Sequence, residues 1–386
     1  MSCGPKNHDQ NDENWLINPF RFCAIFFAFL RRFRFNLLHL ITRQQLILEL
    51  NELGTFIHGV VQGNTANGKI SKPLEAALKA TIDQEIYRNG WYDKTHVEEA
   101  LMGIREWLNT EKLTNFVAEK PYFNFQKKVS LILPGNLPLV GFHDVLCCLL
   151  MGCKLQIKMS SDDNRLLPVL VNALKDLNPL YGSFFDLDPP KLSHYNAVIG
   201  TGSDAALLHF KSFFKHVPHL LRGNRTSIAI LRGDETEEDL QMLGKDIFQY
   251  YGRGCRSVTH LIVPKGYSFN SFFEAIIPYS GVLQNKKYGN NYEYHRAIFL
   301  LSQQAFLDNN FLLLKETTDL HPPLGMVYYH HASGPSEVAR YLEDHRQQIQ
   351  CFVGQGFLPF GTSQQPEIDD YADDINTLDW LSKALN

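Results

Sequence analysis

Apolar positions recur with two different periods along the chain, and the change of period divides it. Between Thr42 and Lys120 the apolar residues follow helical spacing, first in RQQLILELNELGTFIHGVV and then in VEEALMGIREWLNTEKLTNFV. Each of these two segments is therefore predicted to form a helix. From Lys127 onward, short apolar runs alternate with amphipathic stretches, which is typical of strands followed by helices.

This alternation predicts an α/β fold with a mostly parallel sheet, because each strand is followed by a crossover helix. The apolar runs predicted as the first four strands are VSLILP, KLQIKM, NAVIG and TSIAIL. After Cys255 the pattern resumes, with a helix predicted over FNSFFEAIIPYS. The runs predicted as later strands are SVTHLIVP, RAIFLL, PLGMVYYH and the segment around QCFVG.

The pattern divides the 386 residues into four segments. Residues 1–41 are predicted to be an N-terminal extension outside the core fold. Residues 42–252 form a helical lead-in and a first α/β domain, and residues 253–361 form a second. Residues 362–386 are acidic, then amphipathic, and are expected to pack on the surface or at a subunit contact.

The N-terminal extension contains an apolar, arginine-interrupted stretch at residues 19–42. Its longest uncharged run, from Phe22 to Leu30, is about half of what a membrane span needs. The polar, acidic start of the chain also differs from the basic start of a signal peptide. An interfacial helix is the alternative to an extension outside the fold.

Composition excludes several function classes. The formal net charge of −4 gives no global electrostatic reason to expect nucleic acid as a partner. The seven cysteines are odd in number and form no CxxC pairs at zinc-site spacing, so no metal site is predicted. This cysteine usage suits a reducing compartment, and a cytoplasmic location is expected.

Cys255 differs from the other cysteines in its surroundings. It follows Gly252-Arg253-Gly254 and precedes Arg256, in a polar and glycine-flexible loop. Nearby cations and free backbone N–H groups lower the pKa of a thiol and raise its nucleophilicity. We therefore predict that Cys255 is a nucleophile, with an inert loop thiol as the alternative. Three other cysteines lie in or beside an apolar run and are expected to be core thiols: Cys147, Cys148 and Cys153.

The segment Gly200–Ala205 fits the pattern G-x-G-x-x-A between a predicted strand and a predicted helix. Glycines there allow a diphosphate to approach the backbone, and the helix N-terminus favours its charge. The alternative is that these glycines only form the turn between the strand and the helix. The region about 20 residues later carries Arg222 and Arg225, so it lacks the usual carboxylate for a ribose hydroxyl.

Two polar residues stand at the ends of predicted strands. Lys158 ends KLQIKM, at the edge of a parallel sheet where ligands bind, and could contact cofactor hydroxyls or phosphate. Asn136 lies in the turn after the first strand, and its amide could donate to an oxyanion. A solvated lysine and a turn asparagine are the alternatives. The isolated histidines are expected to be structural or surface residues: His143, His260 and His295.

Five short motifs occur in the order PGNLP, IKMSS, GTGS, LRGNR and GRGC. This order resembles the aldehyde dehydrogenase superfamily, which has Pro-x-Asn-x-Pro, Lys-Pro-Ser, Thr-Gly-Ser, Glu-Leu-Gly-Gly-Lys and Gly-Gln-x-Cys. Within it, YGRGCRSVTHLIVP, YHRAIFLL and the acidic tail resemble the LuxC-type acyl-CoA reductases. The resemblance covers roughly residues 45–380. It implies that the first α/β domain binds NAD(P) and that the second, from residue 253, is catalytic.

The resemblance implies a covalent mechanism. Cys255 matches the catalytic cysteine, and Asn136 matches the oxyanion-hole asparagine that acts with the Cys255 backbone N–H. The glutamate that activates water in aldehyde oxidation falls at about Leu221. Its absence suits an acyl group that is reduced or passed to another thiol.

The resemblance also implies cofactor contacts. Lys158 matches the ribose-binding lysine, and Ser203, with Thr201 and Gly202, matches the turn near the pyrophosphate. The ribose-binding glutamate is replaced near Ser161. Without a carboxylate there a 2′-phosphate is not repelled, so NADPH is expected, with NADH as the alternative.

The function implied is reduction of an acyl thioester, a long-chain fatty acyl-CoA, to an aldehyde. Glu316 is the nearest match to the glutamate that positions nicotinamide. A homo-oligomer is expected, and an acyl-transferring synthetase is a candidate partner. The alternatives are an aldehyde dehydrogenase that oxidises aldehydes, a non-catalytic nucleotide-binding relative, and a membrane-anchored form that rests on residues 19–42.

Overall fold

The computed structural model describes residues 1–2, 4, 41–64 and 69–386. The N-terminal extension predicted over residues 1–41, and the alternative of an interfacial helix at 19–42, lie almost entirely outside the described residues. Within the described ranges, no helix combines the length and the apolar character that a bilayer crossing requires.

A layer of helices precedes the first strand. In α1 the buried residues Leu46, Leu50, Leu53 and Ile57 recur at helical spacing, as the sequence pattern predicted. The four helices of this layer are α1 (Arg43–Val61), α2 (Lys72–Arg88), α3 (Lys94–Trp107) and α4 (Thr110–Phe116).

The prediction of a single helix over VEEALMGIREWLNTEKLTNFV is wrong, because α3 ends at Trp107 and a separate helix, α4, begins at Thr110. The side-chain oxygen of Asn109 accepts the backbone N–H groups of Glu111 and Lys112 and so caps the start of α4. An asparagine that bonds to the backbone in this way competes with helix continuation.

The first sheet has the strand order β3-β2-β1-β4-β5, and all of its pairings are parallel. The connection reverses direction between β1 and β4, which is where ligands bind in open α/β sheets. Its strands are β1 (Lys127–Ile132), β2 (Cys153–Lys158), β3 (Phe185–Leu187), β4 (Ala197–Thr201) and β5 (His219–Arg222). Its helices are α5 (Phe142–Leu150), α6 (Leu166–Leu177) and α7 (Asp204–Phe213).

The second sheet has the order β11-β6-β7-β10-β9-β8 and is parallel except for the β8–β9 pair. Its strands are β6 (Thr226–Ile230), β7 (Val258–Pro264), β8 (Leu307–Asp308), β9 (Leu313–Glu316), β10 (Met326–Ala332) and β11 (Ile349–Val353). Its helices are α8 (Glu237–Phe248), α9 (Asn270–Ala275), α10 (Lys286–Leu301) and α11 (Pro335–Asp344). Short 3₁₀ helices cover Pro179–Ser183, Gln249–Gly252, Ile277–Gln284, Arg346–Gln348 and Ala372–Asp374.

The strand predicted over RAIFLL is wrong, because these residues form the last turns of α10. Tyr288, Tyr292 and Phe299 are buried at helical spacing on α10 and pack into the core of the second sheet. A burial pattern of period 3.6 therefore outweighs the local preference of a short apolar run.

The two sheets divide the chain between Arg222 and Thr226. Strand β6 and helix α8, which the sequence analysis grouped with the first domain, thus belong to the second sheet and its cover. A catalytic domain that begins at residue 253 stays a prediction. The tail ends in α12 (Thr377–Leu385), whose buried leucines pack on α5 and β4 of the first sheet.

Candidate functional site

The loop that carries Cys255 begins with an unusual backbone. After α8 ends, Tyr250, Tyr251 and Gly252 all have left-handed φ values of 55°, 58° and 71°. Glycine adopts this conformation freely, whereas each tyrosine pays about 1–2 kcal/mol for it. Contacts elsewhere must therefore hold these two residues in place.

Helix α3 supplies those contacts. The Tyr250 N–H donates to His96 Nε2 at 3.0 Å, and the Tyr251 hydroxyl donates to the Asp93 carboxylate at 2.6 Å. The same carboxylate lies 2.8 Å from His96 Nδ1. Burial raises the pKa of Asp93, but its contacts with His96 and Tyr251 outweigh burial and lower that pKa to about 2. The charged carboxylate therefore anchors the loop at neutral pH.

Cys255 lies at the wall of a cavity of about 600 Å³. Apolar residues of α3 and of the turn after β1 line much of this cavity, including Met102, Trp107, Leu137 and Val140. Burial raises the pKa of the Cys255 thiol to about 11, although the neighbouring Arg256 lowers it. The expectation that cationic neighbours give this thiol a low pKa is therefore wrong in this structure, because burial outweighs one guanidinium.

The structure brings Asn136 to the Cys255 loop. Asn136 Nδ2 donates to the Arg253 carbonyl at 3.1 Å, and Arg253 Nη1 donates to the Asn136 carbonyl at 2.9 Å. Gly254 packs so closely on the turn that a β-carbon there would lie 3.0 Å from Leu137 Cδ1. Gly254, the second glycine of the GRGC motif, thus permits the close approach of the Cys255 loop and the Asn136 turn.

A segment that the sequence analysis did not single out, residues 89–93, links both sides of the site. The Tyr92 hydroxyl donates to the Gly135 carbonyl at 3.0 Å, and the Arg253 guanidinium lies 4.6 Å from the centre of the Trp91 ring. Its last residue, Asp93, caps α3 by accepting the backbone N–H of His96. The sequence signal for this segment is a pair of aromatic residues directly before an N-cap aspartate.

A buried carboxylate also holds the turn that carries Asn136. The Leu139 N–H donates to the buried Asp163 carboxylate at 2.7 Å, and Leu139 itself has a left-handed φ of 55°. Burial raises the pKa of Asp163 to about 7, although the Leu139 N–H lowers it. This carboxylate holds the turn but lies outside the lining of the Cys255 cavity.

The carboxyl end of β2 carries an ion pair. Lys158 Nζ lies 2.6 Å from an oxygen of Asp188, which directly follows β3. Ser161 is exposed in the loop after β2. The expectation of NADPH rested on the absence of a carboxylate near Ser161, but the fold brings the Asp188 carboxylate from the neighbouring strand to Lys158.

The turn after β4, which the sequence predicts to bind phosphate, joins a strand to the N-terminus of a helix. Thr201 ends β4, the Gly202 N–H donates to the Arg222 carbonyl at 3.1 Å, and the exposed Ser203 caps α7 by accepting the Ala206 N–H at 3.4 Å. Ser203 thus has a local structural role beside any contact with a ligand. The free N–H groups at the start of α7 still suit an anion.

Leu221 lies about where the resemblance places the water-activating glutamate. It pairs with Gly200 across β5 and β4, where a β-carbon on Gly200 would lie 3.2 Å from Leu221 Cδ2. An apolar side chain packed against the neighbouring strand cannot take a proton from water.

The structure does not bring Glu316 to Cys255. Glu316 ends β9 and is exposed, two strands across the second sheet from β7. Cys255 precedes the amino end of β7, whereas Glu316 closes the carboxyl end of a strand parallel to it. We therefore leave Glu316 out of the proposed site.

His143 does line the Cys255 cavity, but its ring is already engaged. Its Nε2 lies 2.8 Å from the Ile368 carbonyl, and burial lowers its pKa. This agrees with the structural role expected for it. Across the part of the chain that the structure describes, no group of three or more metal-ligating side chains occurs.

Comparison with known proteins identifies both a family and a fold. A family model described as Acyl-CoA reductase (LuxC) matches residues 72–275, which is more than half of the chain. Comparison with curated proteins gives no match.

Three solved structures illustrate the fold. Aldehyde dehydrogenase 21 from Physcomitrella patens, in complex with the reaction product succinate, is 12% identical with a TM-score of 0.56, over 82% of this chain and 79% of that one. An aldehyde dehydrogenase from Mycobacterium tuberculosis complexed with NAD⁺ is 13% identical with a TM-score of 0.53, over 76% and 71%. A point mutant of aldehyde dehydrogenase from Bacillus cereus is 14% identical with a TM-score of 0.53, over 79% and 71%. The predicted aldehyde dehydrogenase-like α/β fold is thus confirmed.

Proposed function

The chain belongs to the acyl-CoA reductase (LuxC) family, and on that basis we propose that it reduces an acyl thioester to an aldehyde through an acyl-enzyme on Cys255. Family and fold together support an oxidoreductase that acts on aldehyde or acyl groups. The observation that carries the finer proposal is the position of Cys255, at the wall of a cavity with many apolar side chains and directly beside the Asn136 turn.

In the acylation step the Cys255 sulfur attacks the carbonyl carbon of the thioester. A new carbon–sulfur bond forms, the bond to the carrier sulfur breaks, and the carrier thiol leaves with the proton that Cys255 loses. The Asn136 amide and the Cys255 N–H are the proposed donors to the tetrahedral oxyanion, and loss of one such donor typically costs ~10²–10³ in rate. Rotation of the Asn136 amide away from the Arg253 carbonyl would free it for this role.

A reduced nicotinamide, when bound, supplies hydride to the acyl carbon. The features that fit such a cofactor are the strand order of the first sheet, the Gly202 turn and the polar residues at the end of β2. With one proton taken from solvent, the reduced carbon would then be held as a hemithioacetal on Cys255. Collapse of that adduct releases the aldehyde and regenerates the thiol.

The apolar contact of Leu221 with the neighbouring strand argues against release of the acyl group by hydrolysis. An aldehyde dehydrogenase that forms acids is therefore the less favoured function. Turnover of an aldehyde with NAD⁺ and without added thiol would favour it again.

The finer parts of the proposal concern substrate and partners. A cavity of about 600 Å³ that has apolar side chains beside charged and polar ones along its walls has room for a fatty acyl group as the substrate class. NADPH was expected because the ribose-binding glutamate is replaced near Ser161, and the Asp188 carboxylate beside Lys158 weakens that reason. The choice between NADPH and NADH stays a prediction. Homo-oligomerisation, an acyl-transferring synthetase partner and a cytoplasmic location stay predictions from the sequence.

The test is a single-turnover measurement of NADH or NADPH oxidation with a long-chain acyl-CoA. We expect Cys255→Ala to abolish oxidation, because no acyl-enzyme can form. Cys148→Ala is the matched control, since Cys148 is a fully buried thiol of α5 that does not line the Cys255 cavity, and it should keep activity. Full activity in Cys255→Ala would contradict the proposal.

A second measurement separates an enzyme from a non-catalytic relative. Incubation with acyl-CoA in the absence of cofactor should add the acyl mass to the peptide that contains Cys255. Because burial raises the pKa of this thiol, slow alkylation at neutral pH is expected of an enzyme as well. The thioester adduct is therefore the discriminating observation, and its absence would favour a binding protein.

A further inference from the structure

A buried carboxylate in the loop after β2 has a charge that its surroundings compensate poorly. Asp163 is only 8% exposed. Its Oδ2 accepts the Leu139 N–H at 2.7 Å, whereas its buried Oδ1 has no hydrogen-bond partner among the described residues. The charged group that acts on it, Glu85 of α2, is itself a buried acid. Such a carboxylate weakens the fold, so its presence calls for a functional explanation.

The carboxylate changes its charge close to neutral pH. Burial raises the pKa of Asp163 to about 7; the Glu85 carboxylate also raises it, and the Leu139 N–H lowers it. Tyr92 interacts with the same carboxylate from the segment 89–93, and Arg165 lies 3.5 Å from Glu85. Asp163 is therefore mostly charged above about pH 7 and mostly neutral below it.

The residue that Asp163 holds is joined to Asn136 by a stiff piece of chain. Leu139 has a left-handed φ of 55°, which a leucine keeps only where contacts hold it. Of the two residues between them, Pro138 has a φ fixed by its ring, and Leu137 is restricted because it precedes a proline. Few backbone torsions can absorb a change at Leu139, so that change is passed on to Asn136.

The turn also packs tightly on the loop that carries the carboxylate. A β-carbon on Gly135 would lie 2.5 Å from Ser160 Oγ and 3.0 Å from Asp162 Cβ. The Asp163 N–H donates to the Ser160 carbonyl at 3.2 Å and closes the loop on itself. The loop and the Asn136 turn are thus in close contact, and the Asp163 carboxylate joins them by a hydrogen bond.

We propose that Asp163 is a positioning residue, which holds Leu139 in the left-handed conformation and thereby keeps the Asn136 amide within reach of the oxyanion that forms at Cys255. The charged carboxylate is the stronger acceptor, since hydrogen bonds to ionised groups are roughly twice as strong as neutral ones. The turn is therefore held more firmly above about pH 7 than below it. The inference rests on the proposed function, because it requires an acyl intermediate on Cys255.

The experiment follows acylation of the full chain in a single turnover, as release of the CoA thiol from a long-chain acyl-CoA without cofactor. Asp163→Ala removes the acceptor of the Leu139 N–H. We expect the acylation rate to fall about tenfold or more, within the ~10²–10³ that loss of an oxyanion donor costs. The acyl-CoA concentration at half-saturation should stay unchanged. Asp163→Asn keeps a neutral acceptor and should restore most of the rate.

The pH dependence isolates the charge of the carboxylate. The rate of the unmodified protein is divided by that of Asp163→Asn at each pH, because the thiolate fraction of Cys255 then cancels. This ratio should be about fivefold well above pH 7 and approach one well below it, with a midpoint near the Asp163 pKa of about 7. Asp162→Asn is the matched control, since it removes a charge from the exposed neighbour and should give a ratio that does not change with pH.

Stability distinguishes positioning from a purely structural role. The pKa of Asp163 is raised in the folded protein, so its charged form weakens the fold at a pH above that pKa. Asp163→Asn removes this charge, and the urea midpoint measured about one unit above pH 7 should rise. A residue that serves only stability would give a lower midpoint when replaced.

The outcomes separate this inference from the proposed function. If Asp163→Ala acylates at the unmodified rate, or if the ratio for Asp163→Asn is constant across pH, the inference fails alone. A lowered urea midpoint in Asp163→Asn with an unchanged rate also overturns it. If Asp163→Ala does not fold, the pH dependence of Asp163→Asn still decides. If the unmodified protein forms no acyl adduct on Cys255, the proposed function fails and the inference with it.

Discussion

Burial and charge compete at the sulfur of Cys255. The sequence shows the cation, Arg256, but it does not show that the folded chain partly shields the thiol from water. Because burial has the larger effect, the pKa lies near 11, and the free protein holds mainly the neutral thiol at neutral pH. Acylation would then use the small thiolate fraction or a proton transfer to the leaving carrier sulfur.

This pKa predicts how alkylation of Cys255 depends on pH. The thiolate fraction, and with it the rate of iodoacetamide labelling, should rise about tenfold per pH unit between pH 7 and 10. Arg256→Gln should lower the rate at each pH, since the guanidinium is what lowers the thiol pKa. Mass spectrometry of the Cys255 peptide measures the rate, with the buried Cys148 peptide as an internal control. A rate that levels off near pH 8 would show that the thiol is instead activated.

Among the larger elements, a buried arginine of the first sheet forms an ion pair within that sheet's layer and a hydrogen bond to the C-terminal tail. Arg222 at the end of β5 lies 2.5 Å from Asp144 of α5 and also donates to Thr377 at the start of α12. Burial lowers the pKa of Arg222, but the Asp144 carboxylate outweighs burial and raises it, so the guanidinium stays charged. Arg222 was noted from the sequence only because its region lacks a ribose-binding carboxylate. In the structure it connects β5, α5 and α12.

Removing one partner of this buried pair should destabilise the fold strongly. Asp144→Asn removes the main counter-charge of the buried Arg222, and a loss of about 3 kcal/mol in the free energy of unfolding is expected. Urea denaturation measures it. Asp374→Asn is the matched control, because its pair with Arg346 is exposed and is worth at most about 1 kcal/mol. Equal losses in the two variants would contradict this assignment.

At the scale of the whole molecule, the second sheet contains a buried pair of neutral histidines that limits acid stability. His260 Nδ1 lies 3.0 Å from the Asp319 carbonyl and must donate to it, so His260 Nε2 accepts from His330 Nδ1 at 2.7 Å. A proton on His260 Nε2 would place two donors against each other. Burial and the neighbouring His330 lower the pKa of His260 to about 3.

The sign of the pH effect follows from this lowered pKa. Below about pH 6.5 the unfolded chain binds a proton at His260 that the folded chain does not bind, so stability falls as the pH drops. The expected contribution is about 1.4 kcal/mol per pH unit between pH 6.5 and 5. His260→Gln should make this acid slope shallower by that amount in urea unfolding, with the exposed His209→Gln as the control. An unchanged slope in His260→Gln would refute the prediction.

Local patterns determined much of this protein from the sequence alone. Helix α1 and most of the strands follow from periodicity, since the spacing of apolar residues depends only on the geometry of one element. The order of the five motifs pointed to the family that the family model identifies. The failures at RAIFLL and at Asn109 arose where packing or a side-chain cap outweighed the local pattern.

Tertiary structure alone decided the features that depend on residues far apart in the chain. The assignment of β6 to the second sheet depends on strand pairing, and the direction of the Cys255 pKa shift depends on burial by several segments. The Lys158–Asp188 pair joins residues 30 positions apart, and residues 89–93 meet the Cys255 loop across more than 150 positions. The physical reason is that charge, desolvation and contact act through space, whereas sequence periodicity reports only on neighbours along the chain.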